Sequence, residues 1–287
     1  MTVETAPGVQ LFVDLQGKGE PLVLLHGHSL DHTVFDELTD ALAAWGFLVA
    51  RYDQRGHGRS SSPPWGYRYG DHVADLVGVL GALGLGSAHL VGLSKGGGIA
   101  LEAAVRQPEM VRSLVLLAPL IPDYPLPEAF FNFFRTFARA IRQQGVEQAV
   151  RQLWLPHPLL ASAWRNPRCR AKLESIVLRF PAGEYLATGR DEPDRSWILA
   201  ERLGEVACPT LVVSGECDTP EFRAMASFAA QRIPRAQLAV IPGAGHLLPL
   251  EAPELVLETL FGFFRSLGLS ALAALPETSG PNRGGSP

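Results

Sequence analysis

The pentapeptide at positions 92–96, Gly-Leu-Ser-Lys-Gly, has residue types and spacing that suit nucleophilic catalysis. It follows an apolar run, AHLVGL, that predicts a buried strand, and it leads into GGGIALEAAVRQ, which has helical periodicity. A serine on such a sharp strand-to-helix turn presents its Oγ at the helix N-terminus, where backbone N–H groups face developing negative charge. The flanking glycines are needed because side chains there would clash with neighbouring backbone. The pattern predicts Ser94 as a nucleophile.

A serine nucleophile needs a base to remove its proton, and the base needs an acceptor that fixes its tautomer. Among the eight histidines, His246 lies in the loop PGAGHLLP, between the last predicted strand and the last predicted helix. That loop belongs at the same sheet edge as Ser94, so His246 is the predicted general base. Asp218 follows the preceding strand and is the predicted acid, with Glu216 and Asp123 as alternatives.

Acyl transfer also requires donors for the tetrahedral oxyanion. The backbone N–H of Lys95, next after the nucleophile, is one predicted donor, and the N–H of His28, in the loop HGHS at 26–29, is the other. Gly27 would let this backbone approach closely. The His28 ring either contacts substrate or is solvated, and the Lys95 ammonium is expected to reach solvent.

These residues must be positioned by an α/β fold, because short apolar runs alternate with longer helical patterns. Strands are predicted at 9–15 (an edge hairpin strand), 22–25, 47–52, 89–93, 113–117, 210–214 and 237–241. Helices are predicted at 33–45, 70–83, 96–107, 221–232 and 253–267. Strands that alternate with helices indicate a mostly parallel sheet.

The alternation breaks after about residue 119, where the strand signals vanish. Short helices are predicted there at 128–142, 145–155, 168–180 and 183–188, with many aromatic residues. Ligands of open α/β sheets bind at the carboxyl edge of the strands, so this insertion is interpreted as a helical cap, although a helical pair that extends the core is the alternative. The predicted division is a core of 1–119 and 197–270, a helical cap of 120–196 and a disordered tail of 271–287.

Five motifs carry a family resemblance, and they occur in order: HGHS (26–29), DQRGHGRS (53–60), GLSKGG (92–97), GECD (215–218) and GAGH (243–246). With them the chain resembles the α/β-hydrolase superfamily, and within it the lidded small esterase, lactonase and haloperoxidase-like group. The resemblance implies a mostly parallel eight-stranded sheet with helices on both faces, a helical cap and the triad order Ser, Asp, His. Relatives that form alkyl-enzyme esters carry aspartate at the elbow, whereas this chain has Ser94.

The predicted function is a serine hydrolase that cleaves carboxylic esters of small apolar or aryl substrates. Two alternatives stay open: an enol-lactone or C–C bond hydrolase of a catabolic pathway, and a slow or non-catalytic receptor for a small ligand. Some of the aromatic residues of the cap are expected to face the cleft. The candidates are Phe130, Phe131, Phe133, Phe134, Phe137, Trp154 and Trp164. No metal or organic cofactor is expected, because the chain has no H-E-x-x-H, dinucleotide or P-loop motif.

The charge of the chain disfavours nucleic acid and membranes as partners, so a small-molecule substrate is the expected partner. The 287 residues carry a formal net charge of -4 with a pI near 6.1, which gives no basic surface for nucleic acid and no polybasic run for a membrane. The N-terminal MTVETAPGVQ has neither a basic nor an apolar region of a signal peptide, so a cytoplasmic location is expected. A homo-oligomer is possible.

Overall fold

A single sheet runs through the computed structural model, which describes residues 1–189 and 197–269. Within those residues the sheet has eight strands in the order β1-β2-β4-β3-β5-β6-β7-β8. The strands are β1 Thr2–Ala6, β2 Val9–Gly17, β3 Glu20–Leu25, β4 Phe47–Tyr52, β5 Ala88–Leu93, β6 Val111–Leu117, β7 Thr210–Gly215 and β8 Ala236–Ile241. β2 is antiparallel to both β1 and β4, and the pairings from β4 to β8 are parallel. The predicted α/β-hydrolase fold class is thereby confirmed.

The central strands are apolar on both faces because helices cover both, as expected of parallel strands. All six residues of β5 are buried, and so are all six residues of β7. The parallel register aligns the strand ends: Leu25 pairs with Gly92, and Leu93 pairs with Leu117. The loops that follow β3, β5, β7 and β8 therefore emerge at one edge of the sheet.

Helices pack against the sheet and against each other, α1 on α11 and α2 on α3, while α9 packs on β7 and β8. Their bounds are α1 Asp36–Ala44, α2 Tyr69–Ala82, α3 Lys95–Arg106, α9 Pro220–Arg232, α10 Leu248–Glu251 and α11 Pro253–Ser266. Between β6 and β7 come α4 Glu128–Gln144, α5 Val146–Ala149, α6 Pro158–Arg165, α7 Pro167–Leu178 and α8 Gly183–Leu186. The division into core and cap stays a prediction.

The structure departs from the sequence prediction in three places. The predicted edge strand at 9–15 is second from the edge, because Thr2–Ala6 forms the outer strand and turns into it at Pro7-Gly8. Pro158–Arg165 is a helix that the prediction lacked; Pro158 opens it and the His157 ring accepts from the N–H of Leu159. The predicted helix at 145–155 continues from α5 as a π-helical turn, Val150–Trp154.

Other features of the prediction lie outside the described residues, namely the tail of 271–287 and the last part of the cap at 190–196. In the described ranges, no helix combines the length and the apolar character that crossing a bilayer requires.

Candidate active site

Ser94 lies at the turn between β5 and α3 with φ of 52°, a left-handed conformation that is rare for a residue with a side chain. Hydrogen bonds hold it on both sides: its N–H donates to the carbonyl of Leu117 at 2.9 Å, and its carbonyl accepts from the N–H groups of Gly98 and Leu120. A Cβ on Gly96 would lie 2.5 Å from the carbonyl oxygen of His26 and closer still to that of Leu25. The strand-to-helix turn therefore requires glycine there, as predicted.

The Ser94 hydroxyl lies 3.0 Å from Nε2 of His246, and Nδ1 of His246 lies 2.9 Å from Oδ2 of Asp218. All three residues are buried. The other carboxylate oxygen of Asp218 accepts from the N–H of Thr219 at 2.7 Å, which fixes the carboxylate. With Nδ1–H donated to Asp218, Nε2 of His246 carries the lone pair toward Ser94, the tautomer that a general base needs.

The loop that carries His246 is clamped by Glu251, a residue that the sequence analysis did not select. Its carboxylate accepts from the N–H of Gly245 at 2.9 Å and from that of Leu247 at 2.8 Å, one residue before and one after the histidine. Phe222 packs edge-on against the imidazole with ring centroids 4.4 Å apart. The ring of His246 is thus positioned by backbone, carboxylate and aromatic contacts together.

Neither alternative acid lies at the imidazole. Glu216 is exposed and accepts from the N–H of Gly243 at 2.8 Å. Asp123 is also exposed, and its carboxylate faces the N–H of Leu199. The structure brings Asp218, and neither of these, to His246.

The two predicted oxyanion donors both border the space in front of Ser94. Lys95 is the first residue of α3, so its N–H has no partner within the helix. His28 and Gly27 line the same cavity as Ser94, and a Cβ on Gly27 would lie only 3.3 Å from that of Ser94. Their role as donors stays a prediction.

The Lys95 side chain corrects the sequence prediction, and the His28 ring excludes one of its two alternatives. The Lys95 ammonium does not reach solvent: it is buried, with Nζ 2.7 Å from Oε2 of Glu184. The His28 ring is not solvated either, since Nδ1 lies 2.9 Å from Oε1 of the same carboxylate and Nε2 lies 3.2 Å from the hydroxyl of Tyr185. Sequence reasoning missed Glu184 because α8 is a single short turn with no motif around it.

The catalytic cavity has a volume of about 30 Å³, roughly two to three times the minimum that a single water requires. Apart from His28, Ser94 and His246, its walls are apolar: Gly27, Leu30, Leu120, Phe130, Phe134, Trp154, Leu159, Leu160, Phe222 and Leu247. Of the seven aromatic residues singled out in the cap, Phe130, Phe134 and Trp154 therefore face this cavity. Phe131 is exposed instead.

A second space of about 220 Å³, here called the outer groove, adjoins this cavity. Phe130, Leu159 and Phe222 line both spaces and form the partition between them. Phe133 and His157 pack against each other in the groove, with centroids 4.1 Å apart and ring planes tilted by 47°. Burial lowers the pKa of His157 to about 4, so its ring is neutral at physiological pH.

In the part of the chain that the structure describes, two groups of side chains are close enough to share a metal ion: His28, His57 and Glu184, and Asp31, His32 and Asp53. In the first group, the Lys95 ammonium already pairs with the carboxylate. In the second, Asp53 accepts from the backbone N–H groups of His32 and Arg59. Both groups are thus engaged in internal hydrogen bonds and ion pairs.

Comparison with known proteins relates the chain to hydrolases. The family model described as alpha/beta hydrolase fold matches residues 20–253 of this chain. A pimeloyl-[acyl-carrier protein] methyl ester esterase of Xanthomonas campestris is 31% identical over 266 residues, 90% of this chain and 100% of that protein.

Two solved structures are similar over almost their whole length. A thermophilic esterase from Thermogutta terrifontis superposes with a TM-score of 0.79 at 30% identity, covering 93% of this chain and 98% of that one. Est816, described as an N-acyl homoserine lactone degrading enzyme, gives 0.74 at 31% identity, covering 92% and 100%.

Proposed function

The chain belongs to the alpha/beta hydrolase fold family, and on that premise we propose that it is a serine hydrolase that cleaves carboxylic esters of small apolar or aryl substrates. The observation that carries the proposal is the buried relay from Ser94 through His246 to Asp218, with both contacts at hydrogen-bond distance. A small-molecule substrate, a cytoplasmic location and action without a metal or organic cofactor are parts of the same proposal.

The reaction proceeds in two steps. Ser94 Oγ attacks the ester carbonyl while Nε2 of His246 takes its proton, and Asp218 stabilises the imidazolium that forms. The backbone N–H groups of Lys95 and His28 donate to the oxyanion. His246 then protonates the leaving alcohol, which departs and leaves the acyl group on Ser94. Water, deprotonated by the same imidazole, attacks the acyl-enzyme and releases the acid.

The two adjoining spaces support a division of the substrate between them. The catalytic cavity is small and apolar, so it suits a short acyl chain. The outer groove is larger and has Phe133 and the neutral His157 ring on its wall, so it suits an aromatic leaving group that stacks there. Activity should therefore fall steeply as the acyl chain is extended, but tolerate a larger alcohol or phenol.

A lactone hydrolase is the second candidate. A lactone is an internal ester, so the same nucleophile and base would open it. It is favoured by the similarity to Est816, which is described as degrading N-acyl homoserine lactones. Ring opening would keep both halves of the substrate joined across the partition of Phe130, Leu159 and Phe222.

The test combines active-site labelling with a substrate panel. A fluorophosphonate probe should label the wild-type chain and leave Ser94→Ala unlabelled. Circular dichroism should show that both proteins are folded. p-Nitrophenyl acetate and butyrate should be turned over, and Ser94→Ala and His246→Ala should each reduce turnover to background.

The outcomes separate the candidates. Preference for lactones over matched linear esters would favour the second candidate. Release of one equivalent of product without further turnover would indicate a receptor. If either variant kept wild-type turnover, the assigned nucleophile or base would be wrong.

A further inference from the structure

The two residues proposed to hold the oxyanion share one carboxylate. Glu184 accepts from the Lys95 ammonium through Oε2 at 2.7 Å and from Nδ1–H of His28 through Oε1 at 2.9 Å. Lys95 follows β5 and His28 follows β3, so they are far apart in sequence from each other and from α8. A single side chain thus connects both sides of the space in front of Ser94.

Glu184 is well suited to this position because it is charged and sheltered. Its side chain is 18% exposed. Burial by itself would raise the pKa of Glu184, but Lys95 and His28 outweigh that effect and hold the pKa well below its usual range. The carboxylate therefore stays ionised across the pH range of an ester assay.

The backbone of α8 is held tightly on the core. The N–H of Gly183 donates to the carbonyl of Gly56 at 3.3 Å, and a Cβ on Gly183 would lie 2.7 Å from the Cα of Gly56. Ala182, just before it, has φ of 58°. This close backbone contact fixes the point from which Glu184 reaches the two residues.

The loop that carries His28 needs such support. The next residue, Ser29, has φ of 59°, a conformation that persists only where neighbouring contacts hold it. Ser29 Oγ accepts from Nε1 of Trp154 at 2.5 Å, so the segment between β6 and β7 contacts this loop at two points.

We infer that Glu184 is a positioning residue for the oxyanion hole, an inference that rests on the proposed function. It acts through Lys95 and His28 and does not touch the reacting atoms. By fixing both side chains, it sets where the two backbone N–H groups point. Because Glu184 lies on α8, the oxyanion hole is complete only when this helix is docked.

The substitution Glu184→Gln tests this directly. A carboxylate accepts through two oxygens, whereas an amide has one, so the variant loses the acceptor for either Lys95 or His28. Displacement of a catalytic group by about 1 Å costs about 100-fold in rate, so kcat should fall by about 10- to 100-fold. KM for p-nitrophenyl acetate should change by less than about threefold, because the oxyanion contacts act on the transition state.

Arg179 supplies a matched control. It also joins the segment between β6 and β7 to the core by an ion pair, with Nη2 2.7 Å from Oδ2 of the buried Asp31. Arg179→Gln breaks this pair but touches neither Lys95 nor His28. It should lower thermal stability slightly and leave kcat within about twofold of wild type.

A trifluoromethyl ketone gives a readout that a general loss of stability would not move. It forms a tetrahedral adduct with the serine and depends on the oxyanion donors, whereas the parent methyl ketone binds as a ground-state analogue. Glu184→Gln should weaken the fluorinated inhibitor by the same factor as kcat and leave the methyl ketone unchanged. Glu184→Asp keeps the charge and two acceptor oxygens, so it should retain more activity.

The possible results separate the positioning role of Glu184 from the proposed function. If the wild type labels with fluorophosphonate and Glu184→Gln loses no more activity than Arg179→Gln, the positioning role is wrong and the proposed function stands. If the wild type neither labels nor turns over esters or lactones, both are overturned. If Glu184→Gln fails to fold because Lys95 is left without a counter-charge, the double variant Lys95→Met with Glu184→Gln decides, since it removes both charges of the pair. A folded double variant with wild-type kcat and inhibitor affinity refutes the inference.

Discussion

Replacing Gly96 by alanine should damage the active site severely, while the same change at Gly97 should not. Both glycines lie in the first turn of α3. A Cβ at Gly96 would meet two backbone carbonyls, those of Leu25 and His26, at 2.5 Å or less. A Cβ at Gly97 would come no closer than 3.1 Å to any neighbour.

The magnitude follows from these distances. Real Cβ contacts essentially never fall below 3.0 Å, so the carbonyl of Leu25, the closer of the two, must move about 0.9 Å away from α3 in the Gly96 variant. That contact lies between Ser94 and the loop of His28. A displacement approaching 1 Å costs about 100-fold in rate, and overpacking costs about 1–3 kcal/mol of stability. The helix propensity gained from alanine, about 1 kcal/mol, offsets only part of this.

At Gly97 the same gain in helix propensity meets a contact that is tight but not forbidden. Gly97→Ala should therefore keep kcat/KM within about threefold of wild type and unfold at nearly the same urea concentration. Gly96→Ala should lose about 100-fold in kcat/KM for p-nitrophenyl acetate and unfold at lower urea.

The assay is initial-rate kinetics with urea unfolding on the same preparations. Wild-type rate and stability in Gly96→Ala, or equal damage in both variants, would show that the close approach of α3 to β3 does not set the geometry of the nucleophile.

Three further predictions concern the acid, pH and the acyl cavity. Asp218→Asn should lower kcat by about 10³- to 10⁴-fold because His246 loses its tautomer control, while Glu216→Gln should change kcat less than twofold; a larger effect of the second variant would reverse the assignment. Burial, with a contribution from nearby Arg112, lowers the pKa of His89 from 6.5 to about 4. Between pH 4 and pH 6.5, the His89 imidazole is therefore protonated in the unfolded chain but not in the folded one. The free energy of unfolding should then drop by up to about 3 kcal/mol as the pH falls from 6.5 to 4. Urea unfolding at both pH values should show a smaller drop for His89→Asn than for the wild type. Equal drops in the two proteins would contradict this. Leu160→Ala should enlarge the acyl cavity at a cost of about 2–5 kcal/mol, and an acyl-chain series that shows no shift toward longer esters would exclude that location for the acyl group.

The sheet, and the residues it brings together, could be predicted because their signals are local. Ser94, Asp218 and His246 each lie in the turn or loop that follows a strand with a clear apolar run, and parallel strands bring their ends to one edge. The outermost strand was missed, although a Pro-Gly turn separates it from the next and is a recognised punctuation signal.

The roles of side chains that depend on long-range docking could not be predicted. Lys95 was expected in solvent because its partner, Glu184, lies 89 residues away on a four-residue helix. Burial of a lysine is costly without a counter-charge, so only knowledge of that docking makes its position reasonable. Glu251 was also missed, since its acceptor role depends on how the loop before α10 folds back on itself.

The shared partition has a consequence for how substrate preference can diverge. Phe130, Leu159 and Phe222 line both the catalytic cavity and the outer groove. A larger side chain at any of these three positions therefore alters recognition of the acyl and the alcohol halves at once. Leu160 and Phe133 each border a single compartment. Changes at these unshared positions can retune one half of the ester while the other is kept, which gives the protein separate routes to new selectivity.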